Sequence, residues 1–104
     1  MGGMAMNITT SADGSGITLY FEGRLDTVTS PKLEEELVSL MNETNTIIFD
    51  FTKLEYLSSA GLRVILSTHK KLKAAGGMLK VANVNEVIKN VFDLTGFSDI
   101  LNIV

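Results

Sequence analysis

The sequence predicts a small single α/β domain, with a mixed sheet of four to five strands opened by an N-terminal hairpin and about three main helices. Three observations lead there. Ile47, Ile48, Phe49 and Phe51 form a nearly continuous apolar run, the pattern of a central strand covered on both faces. Leu62, Ile65, Leu66, His69 and Leu72 then recur at helical spacing, so the period changes from strand to helix across Thr52 to Ser59. The chain has 104 residues, 45% hydrophobic and 20% charged, which suits one core and leaves too little for a second.

In chain order, Met1 to Ala5 read as a disordered or expression-derived extension ahead of a domain over 6–104. Asn7 to Thr10 make a short first strand, which turns through Ala12 to Gly16 into a second. There Ile17, Leu19 and Phe21 alternate with Thr18, Tyr20 and Glu22, giving one core face and one more polar face. Gly23 to Asp26 leave that strand, and Ser30-Pro31 starts a helix, with the serine as cap and proline at the first helical position. Leu33, Leu37, Leu40 and Met41 are its inward stripe, while Glu34, Glu35 and Glu36 suit the dipole and solubility. Asn42 to Asn45 lead into the central strand. The helix after it stops at Ala74 to Gly77, and Met78 to Ala82 read as a parallel strand reached by a right-handed crossover. Asn83 or Asn85 caps a further helix with Val87, Ile88, Val91 and Phe92 inward, ending at Gly96. Ile100, Leu101, Ile103 and Val104 dock the C-terminal tail, as helix or strand.

Composition excludes several function classes. No cysteine is present, which rules out disulfides and thiolate metal sites and is compatible with a reducing cytosol. No apolar run approaches the ~20 residues of a membrane span. The net charge of −3 argues against nucleic acid, and the one dense basic cluster, Lys70, Lys71 and Lys73, falls late in a helix, where cations complement the dipole. Gly14-Ser15-Gly16 leads into a strand with no Gly-Lys-Ser/Thr element, so it is not a nucleotide loop. Ser59 lacks the Gly-x-Ser-x-Gly frame of a hydrolase elbow. The single histidine, His69, is ten positions on in the same helix, about 15 Å along its axis, too far to act as base. One histidine and no cysteine also argue against a catalytic zinc. Asp50 ends a buried strand as a receiver aspartate would, but the acidic pair of a receiver is missing. No enzyme, cofactor or metal is expected.

The candidate site is the strand-to-helix junction, where a helix N-terminus leaves backbone N–H groups unpaired and favours an anion. Ser58 reads as the N-cap, accepting from the N–H of Ala60 or Gly61, and Ser59 as the exposed first helical residue. Val64 and Thr68 turn away from the Leu62 stripe and are expected to join Asp26, Ser59 and Arg63 on one exposed surface.

At these residues YLSSAGLRVIL resembles the signature of STAS domains, the family of bacterial anti-sigma factor antagonists and related regulatory modules. The order of hairpin, Gly-Arg-Leu-Asp turn, helix, buried strand, Ser-x-Gly-Leu helix, strand and Val-Phe-x-x-Thr-Gly-Phe terminus is similar to the stand-alone antagonists over Asn7 to Val104. By position, the family's Asp-Ser-Ser/Thr-Gly-Leu falls on Ser58, Ser59, Ala60, Gly61 and Leu62. Ser58 therefore stands in place of an aspartate and Ala60 in place of a second hydroxyl residue. The resemblance implies a STAS-like fold and a cytoplasmic, non-catalytic partner switch. Its partner would be a GHKL-type anti-sigma factor that is also a serine kinase, its phosphoacceptor Ser59, and its restoring enzyme a metal-dependent PPM-type phosphatase. Asp26 matches the acidic residue after the second strand and would lie on the partner face. The same fold also serves STAS modules of stressosome or lipid-transport assemblies, which would leave only the partner different.

Overall fold

A computed structural model describes residues 6–104, and the extension expected over Met1 to Ala5 lies outside the described residues. Five strands form one sheet in the order β1-β2-β3-β4-β5: β1 (Met6–Asp13), β2 (Gly16–Leu25), β3 (Thr46–Leu57), β4 (Met78–Ala82) and β5 (Asn102–Ile103). β1 and β2 are the antiparallel hairpin, and every other pairing is parallel, so the mixed sheet is as expected. The helices are α1 (Ser30–Met41), α2 (Ser59–Ala74) and α3 (Glu86–Thr95), followed by a short 3₁₀ turn over Phe97–Asp99. No helix is long and apolar enough to cross a membrane among the described residues.

One face of the sheet carries the core. Ile17 and Leu19 of β2 pair in register with Ile47 and Phe49 of β3, Phe21 follows on the same face at a shift of register, and Leu79 and Val81 of β4 continue that face. Leu33 and Leu37 of α1, Ile65 and Leu72 of α2, and Ile88 and Phe92 of α3 join the same cluster, so all three helices lie on that side. Four phenylalanines tie it together: Phe21 meets Phe49 and Phe51 edge-on with centroids 5.0 Å apart, and Phe51 lies 6.3 Å from Phe92. The expectation of a central strand covered on both faces is corrected, because Ile48 and Asp50 are only half-buried and neighbouring Tyr20 is exposed.

β3 does not end at Phe51 but continues to Leu57, and β2 likewise runs through Gly23 to Leu25. Between Tyr20 and Glu22 the partner strand advances from Asp50 to Lys53, and between Gly23 and Arg24 it advances from Leu54 to Tyr56. Each step inserts one extra residue in β3, a pair of bulges that turns Phe51, Leu54 and Leu57 all inward at a spacing of three. Asn85 holds the first bulge. Its Nδ2 donates to the carbonyls of Phe51 (3.0 Å) and Leu54 (2.8 Å), while its Oδ1 caps α3 by accepting from the Ile88 N–H at 3.0 Å.

Two further expectations change. Val87 is 57% exposed, because α3 sinks only Ile88 and Phe92 fully into the core. Of the tail, Leu101 alone is buried; Asn102–Ile103 extends the sheet as β5, and Ile100, Ile103 and Val104 stay exposed.

Candidate functional site at the start of helix α2

Ser58 leaves β3 with extended backbone (φ −94°, ψ 173°). Its N–H donates to the Leu25 carbonyl at 3.0 Å, its carbonyl accepts from Leu62 at 2.9 Å, and its Oγ accepts from the Gly61 N–H at 3.3 Å. Ser58 is thus the N-cap of α2 and Ser59 the first helical residue, with its side chain exposed. The N–H groups of Ser59 and Ala60 have no partner among the described residues. The first turn carries no acidic residue, and Lys71 and Lys73 complement the dipole at the far end. Arg63, four residues on from Ser59 and also exposed, lies on the same side of the helix.

Gly61 brings this turn against the end of β2. A Cβ at that position would lie 2.9 Å from Leu25 Cγ and 3.0 Å from the Leu25 carbonyl oxygen, so only a glycine lets α2 approach so closely. Asp26, the next residue after Leu25, is therefore a neighbour of the Ser58–Ser59 turn.

Asp26 has a defined structural task there. Its Oδ1 accepts from the N–H groups of Val28 and Thr29, each at 3.0 Å, while Thr29 Oγ1 accepts from the Asp26 N–H at 2.9 Å and donates to the Arg24 carbonyl at 2.8 Å. This is a reciprocal capping box, and the Ser30 N–H already donates to the Asp26 carbonyl at 2.9 Å, so the chain begins to coil at Asp26. The expected cap at Ser30 is corrected on this ground: Ser30 lies inside α1, 3% exposed, with its Oγ unpartnered. Arg24 Nε is 3.6 Å from Asp26 Oδ2, and its guanidinium lies 4.0 Å from the centre of the Tyr56 ring.

Asp26 is held below the ordinary carboxylate value of 3.8, chiefly by the Thr29 N–H; burial opposes this, and Val28, the Thr29 hydroxyl and Arg24 reinforce it. A lowered folded-state pKa adds stability above the unfolded value and loses it as pH falls through the folded one. Asp26→Asn is therefore expected to be less stable than the parent at neutral pH, with the gap closing below about pH 4. Urea melts of both proteins across that range measure the gap, and a gap that stays constant with pH would contradict this role for the charge.

The structure corrects the placement of Val64 and Thr68. They are 5% and 2% exposed, covered by α1, and Thr68 Oγ1 satisfies itself by donating to the Val64 carbonyl at 2.8 Å. Ser59 and Arg63 are exposed, whereas Asp26 is half-buried beside Arg24 at the end of β2. Thr27, which shares a hollow with Ala60 and Arg63, and Tyr56, 41% exposed beside Arg24, were missed by the sequence reading. Tyr56 had a signal in its position opposite Arg24, but only once β3 is extended past Phe51.

Other chemistry-bearing residues lie apart. His69 is half-buried, with Nδ1 unpartnered, and Asp50 is tied to Thr52 and to Asn83 Nδ2 at 2.7 Å. Burial raises the Asp50 pKa, but the hydrogen bonds from Thr52 and Asn83 outweigh it and leave the group below its ordinary value. No cluster of three metal-ligating side chains occurs among the described residues. A hollow of about 400 Å³ on the open sheet face, beside Tyr20, Glu22 and Asp50, includes none of the candidate site residues.

Comparison with known proteins places these features in context. The profile of the STAS domain family matches residues 6–104. The anti-sigma-B factor antagonist of Bacillus subtilis (strain 168) is 32% identical over 100 residues, covering 96% of this chain and 92% of the relative. That of Listeria monocytogenes serovar 1/2a is 30% identical over 92 residues, covering 88% and 81%. Among solved structures, an anti-sigma factor antagonist from Mycobacterium paratuberculosis superposes with a TM-score of 0.84 at 21% identity, covering 95% of this chain and 85% of that one. The antagonist SpoIIAA in its unphosphorylated form gives 0.80 at 18%, covering 94% and 88%.

Proposed function

We propose, for a chain that belongs to the STAS domain family, the role of an anti-sigma factor antagonist switched by phosphorylation of Ser59. As a member of that family it is a regulatory protein and not an enzyme. The unphosphorylated domain binds an anti-sigma factor that is also a GHKL-type serine kinase, which frees the sigma factor; the kinase then phosphorylates Ser59 and the complex dissociates. A PPM-type phosphatase reverses the modification, and the cycle runs in the cytoplasm.

The observation that carries this reading is the exposed Ser59 hydroxyl on the first residue of a capped helix N-terminus, in a chain about 30% identical to named antagonists. A phosphate there adds about −1.5 to −2 charges at the end of the helix that tolerates an anion, so the domain keeps its fold while its surface there becomes more negative. Ser59, Arg63 and Asp26 supply the polar part of the partner face, and Thr27 and Tyr56 widen it. Val64 and Thr68 contribute from beneath, by seating α2 on α1.

The test combines binding with mapping of the modified residue. Calorimetric titration against the GHKL kinases of the same genome is expected to find one that binds, and incubation with that kinase and ATP to place one phosphate on Ser59. Ser58→Ala is expected to lose about 1 kcal/mol with its cap yet remain a substrate. Ser59→Ala is expected to melt like the parent and take up no phosphate. Phosphate found on Ser58, or no binding by any such kinase, would refute the assignment.

A further inference from the structure

A groove runs between α1 and α2 along most of the helix pair. Three hollows of about 380, 400 and 310 Å³ compose it. Pro31, Glu34, Val64 and Ser67 line both the first and second, and Val38, Met41 and Lys71 both the second and third, so they are one channel. Its floor is the packed helix interface, where Leu37, Val64 and Thr68 are buried. Its rims are exposed and of opposite sign, Glu34 and Glu35 on α1 and Arg63 and Lys71 on α2. These charges do not pair across the groove, since the ion pairs among the described residues are Arg24 with Asp26 and Lys89 with Asp93. At the end nearest Ser59 the lining includes Ser30, 3% exposed, whose Oγ has no hydrogen-bond partner.

We propose that this groove docks an amphipathic helix of the anti-sigma partner. Its basic flank lies along Glu34 and Glu35, and its acidic flank along Arg63 and Lys71. The proposal rests on the functional reading above and names the surface that reading leaves open. A recessed apolar floor between charged rims accepts a ridge, and the ridge of a single helix fills it. The charges then fix which flank goes where. A second copy of this chain fits less well, because its own α1–α2 face presents another groove, and two facing grooves leave a void. The placement also links docking to the switch: Ala60 and Arg63 line the end next to Ser59, so a phosphate there meets the acidic flank at the point where Arg63 would hold it.

Ser67 lines two of the hollows from α2, and Ser67→Trp fills the channel without touching Ser59. With the full chain and the anti-sigma factor that the parent binds, calorimetry is expected to show at least about tenfold weaker binding for Ser67→Trp. Lys71→Glu, a change on the exposed rim, is expected to weaken binding by about three- to tenfold, more at low salt. Thermal melts establish that each variant is folded, and if Ser67→Trp is not, Lys71→Glu decides. Parent-like affinity in the folded variants, with Ser59→Asp still weakened, would overturn the groove and leave the functional reading standing. A parent dimer in sedimentation that Lys71→Glu dissociates would assign the groove to a second copy instead. No binding by the parent would overturn both readings.

Discussion

Replacing Ser59 with aspartate is expected to weaken binding of the anti-sigma partner about a hundredfold while leaving the free domain as stable as before. The size follows from like-charge juxtaposition at an interface, which costs several kcal/mol, against about 1.4 kcal/mol for each factor of ten. The sparing of the fold follows from position. Ser59 is exposed, its side chain supports no hydrogen bond of the core, and an anion in the first turn of α2 meets free N–H groups and no acidic neighbour on that turn. Such a charge stabilises a helix by about 0.3–1 kcal/mol when exposed. Calorimetric titration paired with denaturant melts separates the two effects. An aspartate variant that binds as tightly as the parent would remove charge as the switch, and amide shifts spread through the Phe21–Phe49–Phe51 core would show a change of fold instead.

Much of the fold is legible in the sequence because it is encoded locally. The hairpin follows from Gly14-Ser15 between two alternating runs, and the α2 cap from a serine three residues before Gly61. What is not legible is the second half of β3. Two bulges there change the inward spacing from two residues to three, so Phe51, Leu54 and Leu57 share a face that a strict alternation cannot detect, and the stretch reads as loop. The clamp that fixes one bulge comes from Asn85, 34 residues from Phe51, and only the folded chain brings it there.

The candidate site divides in the same way. Ser58 and Ser59 are readable because capping depends on the nearest few residues. The surroundings of Val64 and Thr68 are not, because α2 packs against the sheet and against α1 at once, and its buried arc is wider than the single stripe through Leu62, Ile65 and Leu72. A threonine on that arc reads as surface until its hydroxyl is seen to donate to Val64, four residues back, which removes the penalty for burying it. At the start of α1 the Ser30-Pro31 pair is a strong local cap signal, yet the longer box between Asp26 and Thr29 prevails because it satisfies two N–H groups reciprocally.

Gly61→Ala is expected to destabilise the domain by about 2 kcal/mol, although alanine is the better helix former. Alanine in place of glycine within a helix gains about 1 kcal/mol, so the steric cost must exceed that for the sign to hold. The new Cβ would meet Leu57 Cδ1 at 2.7 Å, Leu25 Cγ at 2.9 Å and the Leu25 carbonyl oxygen at 3.0 Å. The Leu57 methyl is the end of a side chain and can turn aside. The Leu25 oxygen cannot, because it accepts from the Ser58 N–H at 3.0 Å, and moving it lengthens the bond that aligns the cap. Forcing one carbon into such a contact costs about 1–3 kcal/mol, and the upper end applies where backbone must shift. The net loss corresponds to a melting temperature lower by about 10 °C for a domain of this size. The shift would also move Ser59 away from Asp26, so weaker partner binding should accompany the lower stability. Thermal melts of Gly61→Ala beside Ala60→Gly, which loses helix preference without adding an atom, separate packing from propensity. A Gly61→Ala domain as stable as the parent would mean that α2 does not press on the end of β2.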